Sequence, residues 1–148
     1  MMDFIAGLSS YGDKIRGKSK DDKIGEKGPG GGIIFAVEDG GIRYFEVSHI
    51  LGEYTWDDAV KVAKNYKGGG FTDWRLPTKY ELNQVYVNLK KNGLVDLGRE
   101  SHWSSSSEGS NGMWSRNYMW FQDFTDGSQF SAYKPNTHSV RAVRAFTP

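Results

Sequence analysis

Cysteine is absent from the 148 residues. That removes disulfides, thiolate metal ligands and a cysteine nucleophile together, and leaves the redox compartment undetermined. Net charge is also scarce: 19 Lys and Arg against 18 Asp and Glu leave +1, so no overall field steers the chain to nucleic acid or an anionic membrane. No apolar run approaches the roughly 20 residues of a membrane span. The short run from Phe4 to Leu8 has no Lys or Arg before it and is too brief for a signal-peptide core. The expectation is a soluble protein without membrane insertion. A place on a virion or cell surface would then depend on an assembly partner. The most local absence is the most informative: between Ser104 and Ser139 there is no Ile, Leu or Val.

That same stretch carries Trp114, Tyr118, Trp120, Phe121, Phe124, Phe130 and Tyr133 among Ser, Asn, Asp, Thr and Gly. A disordered tail lacks such rings, and an ordinary core strand carries β-branched aliphatics. Rigid rings set among small polar residues make a paratope-like surface. At least three short strands are predicted in it, divided by turns near Gly109 to Gly112, Asp126-Gly127 and Pro135-Asn136. A short strand-like run from Val140 to Phe146 closes the chain.

Residues 1–23 mix Lys, Arg and Asp with few apolar anchors and read as an extension or linker, or as an arm docking the domain to a larger assembly. Residues 24–148 read as one domain. A glycine cluster from Gly25 to Gly32 leads into a strand pattern, Ile33 to Val37, and Asp39-Gly40-Gly41 turns it into a second strand from Ile42 to Val47. The cluster lacks Gly-Lys-Ser/Thr and G-x-G-x-x-G spacing and precedes a strand, so close backbone approach explains it better than a phosphate loop. Thr55 opens a helix with Asp57 and Asp58 in its first turn and Trp56, Ala59, Val60 and Ala63 on one face at helical spacing. Thr78 and Glu81 form a capping-box signature for a second helix, which Asn92-Gly93 ends. Trp74 and Leu76 are expected inside, with Asp73 and Arg75 meeting nearby backbone or each other.

Chemistry is hard to find. His49, His102 and His138 lack metal-ligand spacing, and no serine sits in a G-x-S-x-G elbow. Asp123 and Asp126 lie in a turn without the convergent oxygens calcium needs. His102 beside Trp103 is expected to be packed and hydrogen-bonded, and Arg141 and Arg144 to pair with scaffold acids. No catalytic residue, metal or cofactor is expected, and the chain is not expected to be an enzyme.

Five stretches in order, IGEKGPGGGIIF (24–35), DWRLPT with EL (73–82), HWSSS (102–106), FTDG (124–127) and VRAVRAF (140–146), resemble the Lcl carboxy-terminal domain family. That resemblance implies an α+β, C-type-lectin-like fold, related to the formylglycine-generating-enzyme branch. Two helices would flank a central antiparallel sheet, with N- and C-terminal strands paired. The resemblance also implies that Ser104 to Ser107 are structural serines bonding backbone beneath the display face, and the relatives' cysteine-dependent oxidation is excluded by composition. The family also includes variable proteins of diversity-generating retroelements, in which template adenines are mutagenised. An AAC or AAT codon changed at its adenines reaches many residues but never Trp, Met, Gln, Glu or Lys. Glu108, Met113, Trp114, Met119, Trp120, Gln122, Gln129 and Lys134 would then be fixed. The implied variable, ligand-binding set is Ser110, Asn111, Ser115, Arg116, Asn117, Tyr118, Phe121, Asp123, Thr125, Asp126, Ser128, Phe130, Ser131, Tyr133, Pro135, Asn136, Thr137 and His138. The expected ligand is a protein or glycan on a cell or particle, with Tyr118, Phe121, Phe130 and Tyr133 as anchors and Trp74, Trp103, Trp114 and Trp120 as scaffold. The alternative is an assembly module whose aromatic surface is a fixed subunit interface.

Overall fold

A computed structural model of the chain describes residues 23–108 and 115–148; the extension over 1–22 and the turn near Gly109 to Gly112 lie outside them. Strand β1 (Ile33–Glu38) turns through Asp39–Gly41 into β2 (Arg43–Val47), and the two pair antiparallel. The turn needs positive φ at Asp39, Gly40 and Gly41 in succession, which the two glycines adopt without a Cβ clash. The C-terminal strand β8 (Val143–Phe146) pairs with the other edge of β2. The N-terminal hairpin and C-terminal strand thus form one three-stranded sheet, joined through β2.

The second sheet has five strands: β3 (Gly52–Tyr54), β4 (Ser101–Ser107), β5 (Tyr118–Asp123), β6 (Gln129–Tyr133) and β7 (His138–Val140), in the order β3-β7-β4-β5-β6. Its ladders are antiparallel except between β4 and β7, which run parallel and share one pairing, His102 opposite Ser139. The run from Val140 to Phe146, expected as one strand, is divided between the sheets. Arg141 and Ala142 cross between them. The Arg141 guanidinium donates to the carbonyls of Ser48 (3.0 Å) and Leu97 (3.1 Å) and to His102 Nε2 (3.1 Å). Among the described residues no acid pairs directly with it, and burial pulls its pKa down to about 10.

Helix α1 (Trp56–Asn65) begins after Thr55, whose side chain makes no capping bond; Asp57 and Asp58 occupy its first turn. Helix α2 (Lys79–Val85) has the full capping box. Glu81 N–H donates to Thr78 Oγ1 at 3.1 Å, and Thr78 N–H donates to Glu81 Oε1 at 2.9 Å. It continues as a π-helical turn, Tyr86–Lys91, which Asn92 and Gly93 terminate. One core packs Leu82, Val85 and Leu89 against Phe35, Phe45 and Val143. The other packs Ala59 and Ala63 against Trp74, Trp103, Met119 and Val140. The five-stranded sheet separates them, so the helices flank its two faces in an α+β architecture. Phe124, one of the rings expected at the surface, is fully buried in the first core.

The glycine cluster has a defined role. Glu46, fully buried on β2, receives Gly30 N–H and Gly32 N–H at 2.9 Å each and Arg144 Nη1 at 2.7 Å. A Cβ on Gly28 would lie 2.5 Å from Glu46 Oε1, and one on Gly30 would lie 2.6 Å from the Trp74 ring. The bare amides cradle an anion, as such loops can, but the anion is the protein's own carboxylate. Asp73 pairs with Arg144 (2.7 Å) and Arg75 with Glu81 (2.7 Å), rather than with each other. The hydrogen bond from Arg144 holds the Asp73 carboxyl below the usual carboxylate range.

Candidate ligand-binding surface

The β5–β6 hairpin carries half of the candidate variable residues, and its register is unbroken. Tyr118 faces Tyr133, Trp120 faces Ser131, Phe121 faces Phe130 and Gln122 faces Gln129. Side chains alternate across a strand, so Tyr118, Trp120 and Gln122 project to one side with their partners, and Met119 and Phe121 to the other with theirs. The four anchors therefore form two ring groups on opposite faces. One expected display surface is two.

On the α2 face, Lys79 Nζ lies 3.5 Å above the Trp120 ring, a cation–π contact. Gln122 Nε2 donates to Asn83 Oδ1 at 2.9 Å and to Gly127 O at 3.0 Å, and Gln129 Nε2 donates to Lys79 O at 3.1 Å. Beyond these fixed groups the Tyr118 and Tyr133 rings meet at 5.6 Å, and Tyr133 is 47% exposed. On the α1 face the rings run from core to solvent. Buried Trp103 meets His138 edge-on at 4.6 Å, His138 stacks on Phe121 at 4.2 Å and 15°, and Phe121 touches Phe130 at 5.8 Å. Phe130 is 52% exposed. Half-burial lowers the His138 pKa, against the pull of Glu53, which favours the neutral imidazole in this stack.

The ends of the hairpin differ. At one end lie exposed Arg116, half-buried Asn117 and exposed Pro135, Asn136 and Thr137; Lys134 N–H donates to Asn117 O at 3.0 Å. At the other, about 17 Å away by strand rise, the turn is held by its own side chains. Asp123 Oδ1 accepts from Thr125 N–H, Asp126 Oδ1 from Ser128 N–H, and Thr125 Oγ1 donates to Arg99 O. The bond from Ser128 N–H holds the exposed Asp126 carboxyl below its usual range. Exposed Ser131 lies midway along β6. Ser115 opens a short 3-10 turn before β5, and Ser110 and Asn111 lie outside the described residues.

Beneath the hairpin two of the four scaffold serines, Ser104 and Ser106, bond backbone. Ser104 Oγ donates to Trp120 O and accepts from Ser106 N–H, and Ser106 Oγ accepts from Lys79 N–H. Sequence reasoning missed one concavity, an open groove of about 610 Å³ lined by Trp56, Val60, Trp74, Leu76, Arg75 and Ser105. Trp56 and Val60 had the spacing of an inward helix stripe. Only their half-burial reveals the groove. Among the described residues no group of three or more His, Asp and Glu side chains converges to hold a metal, and no helix is long and apolar enough to cross a membrane.

The model of the Lcl C-terminal domain family matches residues 43–144. The chain belongs to that family. The matched span of this Lcl domain takes in both helices, the hairpin and all five strands of the second sheet, while the glycine cluster lies before it. The Lcl domain is also similar in structure to the snake venom toxin convulxin, at 11% identity and a TM-score of 0.44, over 78% of this chain and 95% of that one. No curated protein matches the sequence.

Proposed function

We propose that this Lcl domain is a non-enzymatic, C-type-lectin-like ligand-binding module, and that the β5–β6 hairpin and the segment leading to β7 contact a protein or glycan on a cell or particle surface. The reading is supported by one correlation. Among the described residues, those that adenine mutagenesis of AAC or AAT codons cannot produce lie further inward: Met119 and Gln122 are buried, and Glu108, Trp120, Gln129 and Lys134 are half-buried. None of the described candidates for variation is buried. Arg116, Thr125, Asp126, Phe130, Ser131, Tyr133, Pro135, Asn136 and Thr137 are exposed, and Asn117, Tyr118, Phe121, Asp123, Ser128 and His138 are half-buried. A surface rewritten by a retroelement needs that division, because variation inside would destroy the fold. The exposed rings then supply contact area, with polar neighbours adjusting fit.

Sequencing the 3′ end of the gene across its source population tests the diversification, together with a search of adjacent DNA for a near-copy of that end. Variation at the exposed positions, with Met119, Trp120, Gln122 and Gln129 constant, is expected. A uniform sequence with no neighbouring copy would overturn diversification and leave a binding domain of fixed specificity.

A further inference from the structure

The five-stranded sheet has one short edge, the three residues of β3, and one longer edge, β6. The phase of the β5–β6 ladder is fixed by Lys134 N–H on Asn117 O and Asp123 N–H on Ser128 O. The backbone groups of Phe130 and Ala132 therefore face β5. Those of Gln129 and Ser131, with the N–H of Tyr133, face away. Among the described residues none of these outward groups has a backbone partner, and Tyr133 O receives only Asn136 N–H. Natural edges are protected by charge, proline or a bulge. Gln129–Tyr133 has no charged residue, no proline and no break in register.

We propose that β6 pairs antiparallel with β6 of a second copy of this chain, about a twofold axis at Ser131. The free groups at 129, 131 and 133 are symmetric about that residue. Self-pairing therefore sets Ser131 against Ser131 and Gln129 against Tyr133, so that each Ser131 N–H meets the other Ser131 O and Tyr133 N–H meets Gln129 O, while Gln129 N–H shares Tyr133 O with Asn136 N–H. No like charges are brought together within it. The charges at its ends are complementary. Lys134 of one copy lies opposite Ser128 of the other, beside Asp123, which pairs with Ser128 across the hairpin, and close to Asp126 in the turn. Side chains stand perpendicular to the sheet, so the pairing uses backbone and leaves both ring groups open. The two hairpins become one surface, and two ligand contacts made together gain avidity. Backbone pairing also tolerates changes of side chain on β6, and it stands whether or not the surface is diversified.

The test is sedimentation equilibrium of the full chain across a range of concentrations, with charge variants at the axis. The expected result is a reversible rise from the 16.6 kDa of one chain to twice that mass. Ser131→Lys and Ser131→Glu, each placing like charges face to face, should each weaken dimerisation at least tenfold. An equimolar mixture should restore the doubled mass. Because the chain has no cysteine, Ser131→Cys gives an independent reading. Directly opposed Cα atoms about 5.5 Å apart fit a disulfide, so air oxidation should cross-link this variant and not Thr125→Cys. A concentration-independent monomer mass would overturn the proposal, as would dimers unaffected by either charge or equal cross-linking at both positions.

Discussion

His102 should make stability fall steeply on mild acidification. Its ring is fully buried against Phe124 at 4.3 Å, Nδ1 lies 3.1 Å from Glu100 O, and Nε2 lies 3.1 Å from Arg141 Nε. A guanidinium can only donate, so Nε2 must be the acceptor and Nδ1 carries the proton. Protonating Nε2 would destroy that bond and set a second cation against Arg141. Burial, followed by the Arg141 charge, pushes the His102 pKa from 6.5 down to about 3. The folded pKa is depressed, so the unfolded chain binds the proton first, and stability is complete above pH 6.5 and lost as pH falls toward 3. At 1.36 kcal/mol per pH unit, the loss is about 2 kcal/mol at pH 5 and about 3 kcal/mol at pH 4. In urea titrations this moves the midpoint by roughly 1–2 M. His102→Gln keeps an acceptor for Arg141 and does not titrate. It should be less stable than the parent at pH 7 yet lose much less between pH 7 and pH 5. Half-buried His138 also has a lowered pKa and contributes in the same window, so His138→Gln is measured beside it. An unchanged pH slope in His102→Gln would refute the assignment of the buried neutral tautomer.

Glu46→Gln replaces an acceptor of three donors with a group that must turn its amide N–H₂ toward one of them. It should cost about 3–5 kcal/mol, and a urea-derived loss below about 1 kcal/mol would contradict the cradle. Gly31 has φ +84 with open space around it, whereas a Cβ on Gly30 meets Trp74. Gly31→Ala should therefore cost only about 1–2 kcal/mol of backbone strain, and thermal melts should rank Gly30→Ala as the more damaging. Trp103→Ala should cost about 3–5 kcal/mol. Phe130→Ala and Tyr133→Ala should stay within about 1 kcal/mol of the parent by calorimetry, while weakening capture of cells or particles at least tenfold.

Much of the fold was legible because local signals agreed with tertiary ones. The Thr78–Glu81 capping box, the Asp39-Gly40-Gly41 turn and the Asn92-Gly93 stop all formed where their chemistry placed them. Thr55 shows the limit, since a hydroxyl at the N-cap position still made no capping bond. The Val140–Phe146 run misled for a different reason. Its composition is continuous, but Arg141 has three acceptors from separate parts of the chain, and meeting them takes the backbone from one sheet to the other. Arg141 is likewise satisfied without a carboxylate, which no sequence pattern announces. Phe124 looked like another surface ring because the polarity of its neighbours says nothing about where one side chain points.

The candidate surface was legible as a set of residues and not as a shape. Rings three positions apart, Tyr118 and Phe121, stand on opposite faces of any regular strand, so an unbroken β5–β6 register divides the anchors. Each group is supported by groups outside the candidate set. Trp120 under Lys79 and the Gln122 and Gln129 amides hold the tyrosine side, and Trp103, fixed through Nε1 to Tyr54 O at 2.8 Å, backs the phenylalanine side. A ligand touching both groups must reach around the open edge of β6 or past the Asn117–Thr137 end. In an isolated chain that edge is a gap between two small patches. Paired with a second β6, it becomes the middle of a wider wall, with a ring group from each copy on either side. The backbone that divides the two ring groups in one chain would thereby join each group to its like in the second.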